Sequence, residues 1–220
     1  MLDILFPTEC IICKTKGPDL CQSCVAGFEP AKPQHFDWIF SLWNYRDPQV
    51  ETLMRYIKNT PNRRIARFLA PLLAEKIPVE HLIIIPIPIG ASRFRERGYN
   101  QSLLIAQPLA RLLRQPIHAD ILFKARKTLK QGTTSSRKER IANMHQAFGV
   151  RHPERIIGKS ILLVDDITTT GSTLWEAKNT LEACGPPRCL PSRLQTRFFR
   201  LNPCRASRFR LPVPNLPDKH

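Results

Sequence analysis

The 220-residue chain contains no apolar run that reaches the roughly 20 residues needed to cross a bilayer. Its opening, MLDILFPTECIIC, has neither the basic stretch nor the cleavage site of a secretory signal, so the sequence predicts a soluble cytoplasmic protein with no membrane span. Two common phosphate-binding motifs are missing as well: no lysine follows Gly171 as in a P-loop, and no G-x-G-x-x-G occurs. Acidic residues are scarce, with 18 Asp and Glu against 34 Lys and Arg and a formal net charge of +16. Residues 185–220 hold eight Lys or Arg and one acid, a net +7, which leaves +9 for residues 1–184. A surplus of that size suits a polyanionic ligand, either a pyrophosphate or a nucleic-acid backbone, and composition does not choose between them. The length accommodates one main domain and a small appendage.

The most informative stretch that is present is Ile161 to Thr173, ILLVDDITTTGST. A short continuous apolar run fits a strand buried on both faces of a parallel sheet, and in such sheets ligands bind beyond the carboxyl ends of the strands. Asp165 and Asp166 follow at once. Adjacent carboxylates repel each other, so their use is to accept hydrogen bonds from vicinal hydroxyls or to orient a metal's water shell. Thr168, Thr169, Thr170, Gly171, Ser172 and Thr173 then offer hydroxyls and backbone N–H groups at the start of a helix, which is an anion site. A diol on one side and a phosphate on the other describe a ribose 5-phosphate. An ordinary strand-to-helix turn with a Ser/Thr cap is the plain alternative.

With Asp165, Asp166, Ile167, Thr169, Thr170, Gly171 and Thr173 in register, this stretch resembles the phosphoribosyl pyrophosphate (PRPP) signature of type I phosphoribosyltransferases. The resemblance implies an α/β fold with a mainly parallel central sheet.

Along the chain, Cys10, Cys13, Cys21 and Cys24 form a C-x2-C-x7-C-x2-C pattern, which can collect a tetrahedral Zn²⁺ in a closed structural site. Two disulfides, which a cytosolic compartment would reduce, or plain core cysteines are the alternatives. The aromatic stretch from His35 to Tyr45 reads as a strand, and Pro48–Lys58 and Arg63–Lys76 read as helices, the second kinked at Pro71. Lys58, Arg63 and Arg64 cluster at the junction of these helices. His81–Pro88 reads as a second buried strand. It is followed by a loop in which Arg93 and Arg97 aim guanidinium groups at an anion and Gly98 lets the backbone approach it. Asn100–Arg114 reads as a helix capped by Asn100 and kinked at Pro108.

Pro-x-Pro followed by R-x3-R-G-Y-N-Q, together with the four cysteines, is similar to the ComF family of competence-associated phosphoribosyltransferase-like proteins. That likeness covers about residues 5–185 and implies two parts, a zinc knuckle at 1–30 and a phosphoribosyltransferase-like domain at 35–185; residues 186–220 depart from it as an atypical Pro/Arg-rich tail. The tail has no strand or helix period where the family has another buried strand, so an aberrant or disordered ending is expected, with a natural basic tail as the alternative. The polar run between Phe123 and Ala147 is expected to be a lid, with Gln131, Arg140, Asn143 and Phe148 in register with the family.

Carried onto these positions, the resemblance implies that Asp165 and Asp166 hold the ribose hydroxyls, Thr168 to Thr173 the 5′-phosphate, and Arg93 and Arg97 the pyrophosphate with Mg²⁺. Arg140, with Lys138, would cover the leaving group. It further implies single-stranded DNA and proteins of the DNA-uptake machinery as partners, with stacking by Phe94 and Tyr99 or else mere loop packing by them. Three functions stay open at this stage: a competence factor that binds PRPP, an active phosphoribosyltransferase with an unknown acceptor, and a PRPP-sensing regulator without turnover.

Overall fold

The computed structural model describes residues 8–32, 38–77, 82–125, 147–184 and 199–200. Its centre is a pair of parallel strands, β1 (Leu82–Pro86) and β4 (Ser160–Val164), in register from Leu82↔Ser160 to Pro86↔Val164. Ile117 makes an isolated parallel bridge to Ile84 on the free side of β1. On the far side of β4, the two-residue β5 (Phe199–Arg200) pairs antiparallel with Ser160 and Ile161. A strand therefore does lie in the Pro/Arg-rich tail, although no period in that stretch marks it. Between β1 and β4 come β2 (Leu122–Lys124) and β3 (Phe148–Val150), an antiparallel pair.

Alternation along the central strands sorts their side chains to two faces. Leu82, Ile84, Leu162 and Val164 pack with Ile105, Ala106, Leu109 and Leu113 of α5 (Gln101–Leu113). Ile83, Ile85, Ile87 and Ile161 pack instead with Leu174, Ala177 and Leu181 of α6 (Ser172–Glu182) and with Ile121, Leu122 and Phe148. Covering both faces explains why the strands read as unbroken apolar runs. Each fully buried Ile contributes about 1.5–3 kcal/mol of transfer free energy, so a charge at Ile84, which is 0% exposed, would disrupt the sheet.

The cysteine segment, with the short α1 (Gln22–Ala26), packs on α2 (Pro48–Asn59) and α3 (Arg63–Ala74). Leu20 and Phe28 share a core with Val50, Leu53, Met54, Ile57, Ile65 and Leu69, and Ile167 of the acidic turn packs against the same cluster. Asp47 fastens the joint. Its Oδ1 accepts from Gln49 and Val50 N–H at the head of α2, and its Oδ2 accepts from Glu29 N–H at 2.8 Å. α3 is capped by Asn62, and the helices run through Pro71 and Pro108, which lack the N–H for one ladder bond each.

Two expectations fail. Residues 38–45 form no strand, only a bridge of Trp43 to Pro30, because their aromatics pack individually: Trp43 edge-on to Phe28 at 5.0 Å, Tyr45 on the α2–α3 cluster. Residues 91–97 form a helix, α4 (Ala91–Arg97), where a loop was expected. No helix of the described residues is long and apolar enough to cross a membrane.

Candidate functional site

β1 and β4 end side by side, where Ile87 N–H donates to the Val164 carbonyl at 2.9 Å. The chain leaving β1 turns into α4, and the chain leaving β4 enters Asp165 and Asp166. The first carboxylate is anchored: Asp165 Oδ1 accepts from the Ser102 hydroxyl and from Asp166 N–H, both at 3.0 Å. Asp166 Oδ1 accepts from Ile167 N–H at 2.9 Å. Together the two carboxyl groups can accept from a diol or hold a cation and its water. Burial and the neighbouring Asp166 charge push Asp165 up to about 7, against the Ser102 hydrogen bond.

Beyond the acids, Gly171 takes a left-handed conformation (φ 75°) that glycine adopts without strain, and it opens α6 as its N-cap. Thr169, Thr170, Ser172 and Thr173 are exposed there, and Thr168 is half-buried. The first N–H groups of α6 face the same end, as an anion requires.

The arginine helix closes the other side. Arg93 and Arg97 lie one turn apart on α4, and Gly98 ends the helix at φ 75° with its N–H on the Phe94 carbonyl at 2.8 Å. Nothing lies within 4 Å of where a Gly98 Cβ would be, so the glycine serves the left-handed cap rather than a close approach to another group in the protein. Tyr99 is half-buried and its hydroxyl donates to the Ile57 carbonyl at 2.5 Å. Burial raises its pKa, with Arg97 pulling it down and Asp166 pushing it up. Two small cavities of about 80 and 110 Å³ adjoin the acids. They share Phe40, Leu73, Asp165 and Thr168, and Trp43 and Tyr45 line the larger.

Residues 99–190 match the model of the phosphoribosyl transferase domain. The chain is 30% identical over 158 residues to the DNA utilization protein YhgH of Salmonella typhi, covering 68% of each. It is 28% identical over 144 residues to competence protein ComFC of Bacillus subtilis, covering 64% of this chain and 56% of that one. Competence protein F of Haemophilus influenzae is 37% identical over 103 residues, 46% of this chain and 44% of that one. The chain belongs to the ComF family. No solved structure matches it.

In this ComF chain the four cysteines converge. The Sγ atoms of Cys10, Cys13, Cys21 and Cys24 all lie within 4.8 Å of one another, with Cys10–Cys24 at 3.9 Å and Cys13–Cys21 at 3.8 Å. A tetrahedron of zinc–sulfur bonds of about 2.3 Å has edges of about 3.8 Å, so the donor set fits Zn²⁺ and leaves no open position. All four are free thiols with no disulfide among them. The Cys13 thiol is pulled down to about 6 by hydrogen bonding with Thr15, and Cys24 is pushed up to about 12 by sharing a hydrogen bond with Cys21. A cation is what would let all four ionise together.

Gln131, Lys138, Arg140 and Asn143, expected in a lid, lie outside the described residues. Phe148, expected with them, is a core residue of β3 at 4% exposure. Sequence reasoning missed Ser102, which is 2% exposed and anchors Asp165; Gln101, known there only as the end of the R-x3-R-G-Y-N-Q stretch, is 1% exposed and donates to the Lys58 carbonyl at 3.5 Å. The available signal was two polar residues heading the buried stripe of α5, which continues through Ile105, Ala106, Leu109 and Ala110.

Proposed function

We propose that this protein binds PRPP with Mg²⁺ at the β4 edge and acts in the uptake or utilisation of DNA, as the names of its relatives indicate for them. The anchored acid pair at the carboxyl end of a parallel strand, followed by the Gly171-opened helix, is the observation that carries the reading. Asp165 and Asp166 hold the ribose hydroxyls, and Ser102 keeps Asp165 turned toward them. Thr168, Thr169, Thr170, Gly171, Ser172 and Thr173 take the 5′-phosphate. Arg93 and Arg97 face the pyrophosphate. The two carboxylates are hard oxygen donors suited to Mg²⁺, which when bound supplies positive charge to the pyrophosphate. Zinc in the four-cysteine site is structural.

Isothermal titration of PRPP with Mg²⁺ tests the site, with the Asp165→Asn/Asp166→Asn double variant as control. Binding that disappears in the double variant supports it. A folded, zinc-loaded wild-type protein that takes up no PRPP refutes it.

One observation favours a second reading, an active transferase. The larger of the two cavities beside the acids is walled by Phe40, Trp43 and Tyr45, which suit a planar acceptor. Pyrophosphate release that rises on addition of free nucleobases, and falls in Trp43→Ala, would support turnover. Release independent of every base tried would be hydrolysis, with water as the acceptor, and no release at all would leave PRPP binding without transfer.

A further inference from the structure

Asn100 stands in a closed circuit of hydrogen bonds that joins the two strand exits of the site. Its Nδ2 donates to the Ile87 carbonyl at 3.0 Å, and its Oδ1 accepts from Ser102 N–H at 3.0 Å. The Ser102 hydroxyl donates in turn to Asp165 Oδ1, also at 3.0 Å. Asp165 follows Val164, whose carbonyl accepts from Ile87 N–H at 2.9 Å, and the circuit is back at Ile87. The ends of β1 and β4 and the head of α5 are thereby tied into one ring.

The bond to Ile87 also closes a loop. It spans 13 positions, and inside it lies the whole of α4 with Arg93 and Arg97. None of the residues of α4 is buried, so the core does not set where this helix stands. Its attachments do that: Asn100 at the base of the loop and, next to it, Tyr99 on the Ile57 carbonyl. Only an amide serves such a base, because it must donate to Ile87 and accept from Ser102 at once. An aspartate would cap α5 as well but has no proton for the Ile87 carbonyl, and a serine hydroxyl is one atom where two are needed.

We propose that Asn100 is a positioning residue that sets the span between the arginine helix and the acid pair, and so makes the site prefer a ribose 5-phosphate bearing a pyrophosphate to ribose 5-phosphate alone. The inference rests on the PRPP reading given above and names the residue behind that preference. Asp165, Asp166 and the start of α6 suffice for the sugar and its 5′-phosphate. The pyrophosphate is met only while α4 is held at the right span. Without the Ile87 bond the loop takes other positions too, and the apparent affinity for PRPP falls by the fraction of molecules that leave the competent one.

Asn100→Ser tests this, because serine keeps a neutral cap on α5 and removes only the tie to Ile87. Full-length zinc-loaded protein is titrated calorimetrically with PRPP and, separately, with ribose 5-phosphate, both with Mg²⁺. PRPP affinity should fall roughly 2- to 12-fold, the worth of one hydrogen bond, while ribose 5-phosphate binds as in the wild type. Ser102→Ala should instead weaken both ligands by a similar factor, since it frees Asp165 itself. Hydrogen exchange supplies a readout that needs no ligand: in Asn100→Ser, residues 91–98 should exchange faster than in the wild type and α6 at the wild-type rate. If the wild type binds PRPP and Asn100→Ser weakens both ligands alike or neither, or leaves exchange in 91–98 unchanged, Asn100 is a helix cap only and the PRPP reading stands without it. A wild type that binds ribose 5-phosphate as tightly as PRPP has no preference to set, which also overturns the inference. If the wild type takes up no PRPP, that reading falls and the role of Asn100 with it.

Discussion

Asp165→Asn should stabilise the protein, and by more at alkaline than at acid pH. The reason is in the site: burial and the Asp166 charge raise the carboxyl from 3.8 to about 7. Between about pH 4 and pH 7 the unfolded chain has released this proton while the folded chain still holds it. The folded state then binds more protons, and stability falls as pH rises through that window. At about 1.4 kcal/mol per unit, the full shift amounts to about 4 kcal/mol at pH 8 and between one and two at pH 5. Some of this belongs to the coupled pair rather than to Asp165 alone, so the growth in the variant's advantage from pH 5 to pH 8 should be about 2 kcal/mol. Asparagine keeps an oxygen for Ser102 and for Asp166 N–H, so little is lost in exchange. For a chain of this size, 2 kcal/mol is about 4–8 °C in Tm. Paired thermal melts of wild type and variant at several pH values measure it. A difference in Tm that does not change with pH, or a variant less stable at pH 8, would refute the strained-acid account of the site.

Three further perturbations have definite outcomes. Asp47→Ala strips three backbone N–H groups of their acceptor and should cost about 2–3 kcal/mol at pH 7 in denaturant melts. The sign with pH is opposite to that of Asp165: the Glu29, Gln49 and Val50 N–H groups lower its pKa, so its contribution is present above about pH 4 and the gap to the variant narrows as pH falls below that. Removing zinc from the purified protein with a chelator should release Leu20 and Phe28 from the α2–α3 core, each worth about 2 kcal/mol, and lower Tm by roughly 8–16 °C in calorimetry. At Gly98, Asn should be tolerated and Val should cost about 1–2 kcal/mol, because the position demands a left-handed backbone and offers open space; equal losses in chemical denaturation would point to a steric role instead.

Those elements whose cause is local were legible in the sequence. The apolar runs before Pro88 and Asp165 gave the two parallel strands, the 3.6-residue stripes gave α2, α3 and α5, and the cysteine spacing gave a cluster whose sulfurs lie at tetrahedral separations. The aromatic run before Tyr45 misled because alternation of large side chains is shared by strands and by segments whose rings each find a separate pocket. α4 was hidden for the opposite reason: it has no buried stripe, so no periodicity announces it. β5 is two residues long and held by pairing with β4, which no window of its own residues could reveal.

What the sequence concealed most fully is how the parts of the site depend on one another. Ser102 reaches Asp165 across 63 positions, and Asn62 of the α3 cap reaches Asp19 of the cysteine segment across 43, with Nδ2 donating at 2.8 Å. Such bonds follow from packing, and packing is not written in any one segment. They give the knuckle a consequence beyond its own stability. Its Leu20 and Phe28 pack into the cluster that also holds Ile167, the residue directly after the acid pair, and Ile57, whose carbonyl holds Tyr99 at the end of the arginine helix. The acidic turn and the arginine helix are thus both fastened to α2, and α2 is fastened to the knuckle by Asp47 and by shared apolar surface. A metal held by the four cysteines would therefore order both walls of the candidate site without touching either.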